Sequence, residues 1–145
     1  MIIIRLWHYE LLPYLPRQQI LSQLRECVAI SKSIHEKGTP NHILVNKIMD
    51  YDLSEFRIYC NMVIYEMMCN RGYSVSVVTV KKLQDYINFE IDVKTINNRI
   101  FENWHNETYL KICIYNLYEK YLCGGIKQNE WDIINNKFGE YLSEV

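Results

Sequence analysis

Apolar residues recur every three or four positions along most of the chain, which is the spacing of one face of an α-helix. Long helices are predicted over residues 16–31, 53–71 and 106–123, and shorter ones over 79–88, 92–101 and 131–142. Ser74–Val80 is rich in β-branched residues and could instead form a short strand. The pattern predicts a mainly α fold, with residues 1–145 forming a single compact helical domain.

Breaks in the pattern indicate where the helices begin and end. Pro16 suits a first helical turn, and Asp52 or Ser54 is a plausible cap for the second helix. Gly72 follows that second helix directly, where glycine commonly terminates helices. Residues 1–15 are rich in aromatic side chains and are interrupted by Pro13, so we expect an extended N-terminal arm packed on the helices.

Composition excludes several classes of protein. The 145 residues are 49% hydrophobic with a net charge of −1, unlike a disordered chain. No apolar run approaches the roughly 20 residues of a membrane span. The 5 cysteines form no Cys-x-x-Cys pair, so we expect reduced thiols in a cytoplasmic protein. The 4 histidines show no metal-binding spacing, so no metal is expected.

Charge is distributed unevenly along the chain. Residues 1–47 hold six basic and three acidic residues, a net charge of +3, whereas residues 48–145 carry −4. A positive N-terminal third is compatible with a phosphate-binding surface. The alternative is chance, because many inert proteins show an imbalance of this size.

The first predicted helix carries an unusual set of polar residues, Arg17, Gln18, Gln19, Gln23, Arg25 and Glu26. Glu26 immediately precedes the apolar pair Cys27 and Val28, so its carboxyl could be partly buried, with a raised pKa that suits proton transfer. The other interpretation is a solvated helix face, since structural charges outnumber catalytic ones.

Three segments of the N-terminal third resemble the start of the pyrimidine-dimer DNA glycosylases, the family of phage endonuclease V and its bacterial relatives. They are Arg5–His8 (Arg-Leu-Trp-His), Leu15–Leu21 (Leu-Pro-Arg-Gln-Gln-Ile-Leu) and the pair Arg25 and Glu26. Scattered similarities continue to about residue 126. The first block is the specific one, since the rest is mostly helical pattern.

The resemblance implies an all-α enzyme that removes a damaged pyrimidine from double-stranded DNA and then cuts the abasic site. The nucleophile would be the α-amine of Met1, which forms an imine with the sugar, and Glu26 would stabilise that cation and move protons. No cofactor or metal is implied. We expect DNA and phosphate contacts from Arg5, His8, Arg17, Gln18, Gln19, Arg25 and His42.

A second interpretation is a non-catalytic DNA-binding or interaction protein on the same fold. It is favoured by Met1–Ile4, which precede the matched block, and by Ala29, where the phage enzyme has an arginine. A third is a helical domain unrelated to DNA. Under the leading interpretation we expect a monomer with no membrane association.

Overall fold

The computed structural model describes residues 5–142 of the chain. Five α-helices account for most of them, and this part of the chain contains no strand, which confirms the mainly α class. The helices are α1 (Arg17–Lys37), α2 (Leu53–Tyr65), α3 (Val77–Ile87), α4 (Glu107–Leu122) and α5 (Gln128–Phe138).

Helix α1 is the element on which the candidate site is built. Ile20, Leu24, Cys27 and Ile30 form its buried face at helical spacing, and Leu21 and Val28 beside them are half-buried. The predicted end at residue 31 is wrong, because the helix continues for six more residues. It ends at Gly38, whose φ of +75° is favourable only for glycine and whose N–H bonds the Ile34 carbonyl.

Helix α2 begins as predicted and ends differently. The Asp52 carboxylate caps it by accepting a hydrogen bond from the Ser54 N–H at 2.9 Å. The α-helix stops at Tyr65, and Glu66–Asn70 form one wider π-helical turn instead of the predicted continuous helix. Gly72 then reverses the chain with a φ of +68°.

Two other predicted elements are wrong. The candidate strand at Ser74–Val80 is largely the start of α3, where the Ser76 hydroxyl caps the helix by accepting from the Val78 N–H. The predicted helix over 92–101 contains only the 3₁₀ turn Val93–Thr95. Its last residue, Phe101, has a φ of +54°, a conformation that a right-handed helix cannot contain.

The predicted N-terminal arm covers residues 1–15, and the part that the structure describes, residues 5–15, is not extended throughout. Tyr9–Tyr14 form a 3₁₀ helix that contains Pro13, whereas residues 5–8 adopt no regular structure. The arm does pack on the helices as expected. Its side chains Leu6, Trp7, Leu11, Leu12 and Leu15 are all buried in the core.

A buried ion pair joins this arm to the end of α2. Arg71 Nε donates to the Glu66 carboxylate at 2.9 Å, and the two side chains are 15% and 6% exposed. Arg71 Nη2 also donates to the carbonyls of Leu12 at 3.2 Å and Leu15 at 2.8 Å. The π-helical turn thus places a cation where it bonds the arm's backbone.

Replacing Arg71 with Met should therefore destabilise the fold. Glu66 would remain as a buried charge without its cation, so we expect the free energy of unfolding in urea to fall by about 3 kcal/mol or more. Lys81→Met is the matched control, because its pair with Asp85 is more than half exposed. That variant should lose less than about 1 kcal/mol. Equal losses in the two variants would contradict a structural role for the buried pair.

Candidate active site

A cleft of about 240 Å³ lies between the arm, α1 and α4, and we call it the Glu26 cleft. On α1 its lining residues fall at spacings of three and four, so they share one helix face. The lining residues are Arg5 and Trp7 from the arm, Gln19, Ser22 and Glu26 from α1, and Asn116, Glu119 and Lys120 from α4.

The partly buried Glu26 carboxyl has the most perturbed acidity in this cleft. Burial raises the pKa of Glu26 to about 7, against the opposing effects of a hydrogen bond from the Arg5 backbone and of the charges of Arg25, Arg5 and Lys120. The expectation of a partly buried carboxyl with a raised pKa is confirmed. A carboxyl that titrates near pH 7 can both give and take a proton under ordinary conditions.

Arg5 lies at the inner side of the cleft. Its guanidinium carbon is 5.4 Å from the centre of the Trp7 ring, a cation–π distance. Its positive charge also acts on Tyr109 and Cys113, two residues of α4. The same charge favours the ionised form of Glu26 and so opposes the rise in the pKa of Glu26.

Two more predicted residues lie in or beside the cleft. Gln19 lines it, and the Gln19 Oε1 atom is buried with no hydrogen-bond partner among residues 5–142. Its capacity to accept a hydrogen bond is therefore unused in this structure. Arg25 is exposed, and its guanidinium donates to the Ser22 hydroxyl at 3.0 Å. That places a solvent-facing cation next to Glu26.

Other predicted residues are not brought together with Glu26. Arg17 stacks on the Tyr73 ring, 4.6 Å from its centre, outside the residues that line the cleft. Gln18 is exposed near the start of α1, and His42 lies in the loop after α1. Met1 lies outside the described residues.

His8, an expected phosphate contact, lies in the core of this structure and away from its surface. The side chain is 2% exposed, and its Nδ1 accepts from the Glu10 N–H at 3.1 Å. Burial lowers the pKa of His8 to about 4, so the ring is neutral near pH 7 and carries no charge to attract a phosphate. It stacks on His105, 5.1 Å away between ring centres, inside an aromatic cluster.

Sequence reasoning missed several residues of the cleft. Lys120 and Asn116 are separated from Glu26 by some ninety positions, so only the tertiary fold reveals their proximity. Gln23 had a readable signal, because it falls on the same helix face as the apolar Ile20 and Cys27. A polar side chain at such a position is buried, and it must be hydrogen-bonded.

Comparison with known proteins assigns the family. The model of the family described as pyrimidine dimer DNA glycosylase matches residues 4–79, just over half of the chain. The chain belongs to this family. It is therefore a DNA repair glycosylase, and DNA is its substrate. No curated protein and no solved structure matches the chain.

The matched span covers only one wall of the site. Residues 4–79 include the arm and α1, and hence Arg5, Gln19 and Glu26, whereas α4 lies beyond them. Within residues 5–142 no group of three or more His, Cys, Asp or Glu could hold a metal ion. No helix in the same range is long and apolar enough to cross a membrane.

The raised pKa of Glu26 predicts that this residue costs the fold stability at neutral pH. In the unfolded chain its carboxyl titrates near 4.5 and in the folded protein near 7, so its contribution to stability is lost as pH rises between these values. Glu26→Gln has no ionisable carboxyl at this position, so the variant does not lose this stability as the pH rises. We expect its Tm to match the wild type near pH 4 and to exceed it by roughly 5 °C at pH 8, after discounting for the partial exposure of Glu26.

Thermal unfolding of both proteins across this pH range measures the difference. The titration of His8 and His105 is common to wild type and variant, so it cancels in the comparison. Glu119→Gln, at an exposed position of the same cleft, is the control and should show no such pH-dependent gain. A variant Tm below that of the wild type at pH 8 would contradict the prediction.

Proposed function

We propose that the protein excises damaged pyrimidines from double-stranded DNA and then cleaves the abasic site by β-elimination. The α-amine of Met1 is the nucleophile, and Glu26 is the carboxylate that assists both steps. The observation that carries the proposal is a partly buried Glu26 with a pKa of about 7, hydrogen-bonded to the backbone of the N-terminal arm.

The position of the arm supports a role for the terminal amine. The Arg5 backbone bonds the Glu26 carboxylate, so the arm reaches the carboxyl that the proposal pairs with the amine. Four residues separate Met1 from this contact, and a chain of that length reaches at most about 14 Å. An α-amine has a pKa near 8, so a useful fraction is neutral and nucleophilic at pH 7 to 8.

The chemistry assigns successive tasks to these two groups. The neutral amine attacks the sugar C1′, the base departs with the electrons of the glycosidic bond, and loss of the amine proton with ring opening gives an imine. The protonated imine is a cation that the Glu26 carboxylate stabilises. The protonated imine also makes the C2′ proton more acidic, and Glu26 removes that proton. The bond from C3′ to the phosphate oxygen then breaks, and the oxygen leaves with the bonding electrons.

The cations around the cleft support a phosphate-binding role beside this chemistry. Arg25, Arg5 and Lys120 all lie close enough to Glu26 to affect its titration. Arg25 and Lys120 are both exposed and so available to a DNA backbone. Gln19 lines the same cleft and has an unpaired, buried Oε1. We assign the DNA contacts first to Arg25, Arg5 and Gln19.

The proposed enzyme is one domain, residues 1–145, acting as a monomer. Both halves of the chain are needed for the site, because α4 supplies the wall opposite α1. A fragment ending near residue 79, where the family match ends, would lack Asn116, Glu119 and Lys120.

Borohydride trapping on DNA that contains an abasic site tests the imine. We expect a covalent complex with the wild type, and peptide mapping should locate the adduct at residue 1. Glu26→Gln preserves shape and removes the carboxylate, so strand cleavage should fall by about 10²-fold or more. Glu119→Gln alters a carboxylate in the same cleft and should change the rate less than about threefold.

The outcome separates the two interpretations of the fold. Absence of a trapped complex, together with DNA binding that persists, would favour the non-catalytic DNA-binding protein. An adduct at a lysine would retain the reaction and reject Met1 as the nucleophile. A wild-type rate in Glu26→Gln would reject the role of the carboxylate.

A further inference from the structure

Gln23 is a completely buried amide, one helical turn before Glu26 on α1. Its Nε2 donates to the Glu26 carboxylate at 3.0 Å and to the Arg5 carbonyl at 2.8 Å. Its Oε1 accepts from the Trp7 N–H at 2.8 Å and contacts the Tyr59 hydroxyl at 2.9 Å. Both donors and the acceptor of the side chain are therefore used inside the core.

The partners fix the orientation of this amide. The Arg5 carbonyl can only accept a hydrogen bond and the Trp7 N–H can only donate one, so exchanging Nε2 and Oε1 would break both contacts. The Tyr59 hydroxyl shares its proton between the Trp7 carbonyl at 2.6 Å and Gln23 Oε1. Gln23 therefore has one stable arrangement, which always directs an N–H toward Glu26.

We propose that Gln23 is a positioning residue, which fixes the Glu26 carboxylate against the backbone of the N-terminal arm and so holds the proton acceptor of the reaction in one orientation. This rests on the function proposed above. The Gln23 amide joins the carboxylate of Glu26 to the arm backbone at Arg5 and Trp7, and the Tyr59 hydroxyl of α2 supports the amide from its other side.

The contact has an electrostatic effect as well as a geometric one. A hydrogen bond donated to a carboxylate favours its ionised form, which is the form that accepts the C2′ proton. Burial acts in the opposite direction, because it favours the protonated acid. Without the Nε2 donor, less would oppose the effect of burial on the pKa of Glu26. The carboxyl would therefore stay protonated to higher pH.

Gln23→Glu keeps the oxygen that accepts from Trp7 and Tyr59, and it replaces the amide donor with a second carboxyl that competes with Glu26 for a proton. At saturating abasic-site DNA we expect kcat to fall about tenfold or more, with KM changed less than about threefold. The acidic limb of the pH profile should move up by about one pH unit, since Glu26 loses a hydrogen bond and faces a second carboxyl. Gln23→Met, without a charge, should shift the limb in the same direction.

Tyr59→Phe is the matched control. It removes a hydroxyl that contacts the same amide and the Trp7 carbonyl, but it leaves the Nε2 contact with Glu26 in place. Its Tm should fall, and its acidic limb should remain that of the wild type. The proposal would fail if the acidic limb of the cleavage pH profile moved equally in Tyr59→Phe. It would also fail if that limb stayed in place in both Gln23 variants, because Gln23 would then have only a structural role.

A measurement on the wild type needs no Gln23 variant to fold. The two Nε2 protons of Gln23 should shift in ¹H–¹⁵N spectra with the same midpoint as the acidic limb of cleavage, and the transition should be absent in Glu26→Gln. Amide protons that do not titrate would overturn the proposal. A wild type that forms no trapped adduct would instead overturn the proposed function, so the two failures are distinguishable.

Discussion

The structure depends on how the N-terminal arm satisfies its backbone inside a core of helices. An irregular segment cannot pair its own N–H and C=O groups, and leaving them buried without partners would cost free energy at each. Side chains from three helices provide the partners. Tyr109 donates to the Leu6 carbonyl at 2.6 Å, Tyr59 bonds the Trp7 carbonyl, and Gln23 bonds both Arg5 and Trp7. The Glu26 cleft exists because the arm is fixed beside α1 in this way.

Much of this arrangement is readable from the sequence, and the exceptions have physical causes. The apolar stripe of α1, the Asp52 cap and the partial burial of Glu26 are local properties, and all are confirmed. The π-helical turn cannot be predicted from the local sequence, because it goes with contacts between Arg71 and the distant arm. The strand expected at Ser74–Val80 failed because the Ser76 cap and packing on α1 override β propensity.

The same distinction applies to the candidate site. Glu26, Arg5 and Gln19 belong to segments whose family resemblance is visible, and they do meet in one cleft. His8 belongs to the same resembling block, yet it packs against His105, a contact across 97 positions that spacing cannot reveal. Lys120 shows the reverse case, since nothing near it in the sequence indicates chemistry. A net charge of −1 is compatible with DNA because three cations converge on one carboxyl.

The cleft is divided between one wall inside the span that the family model matches and one wall outside it. Glu26 belongs to α1, within residues 4–79, whereas the facing residues Asn116, Glu119 and Lys120 belong to α4, beyond them. Gln23 joins α1 to the arm through buried hydrogen bonds, so a substitution in either element disturbs the other. Glu119 and Lys120 are exposed, so substitutions there change the shape and charge of the cleft and leave those bonds in place.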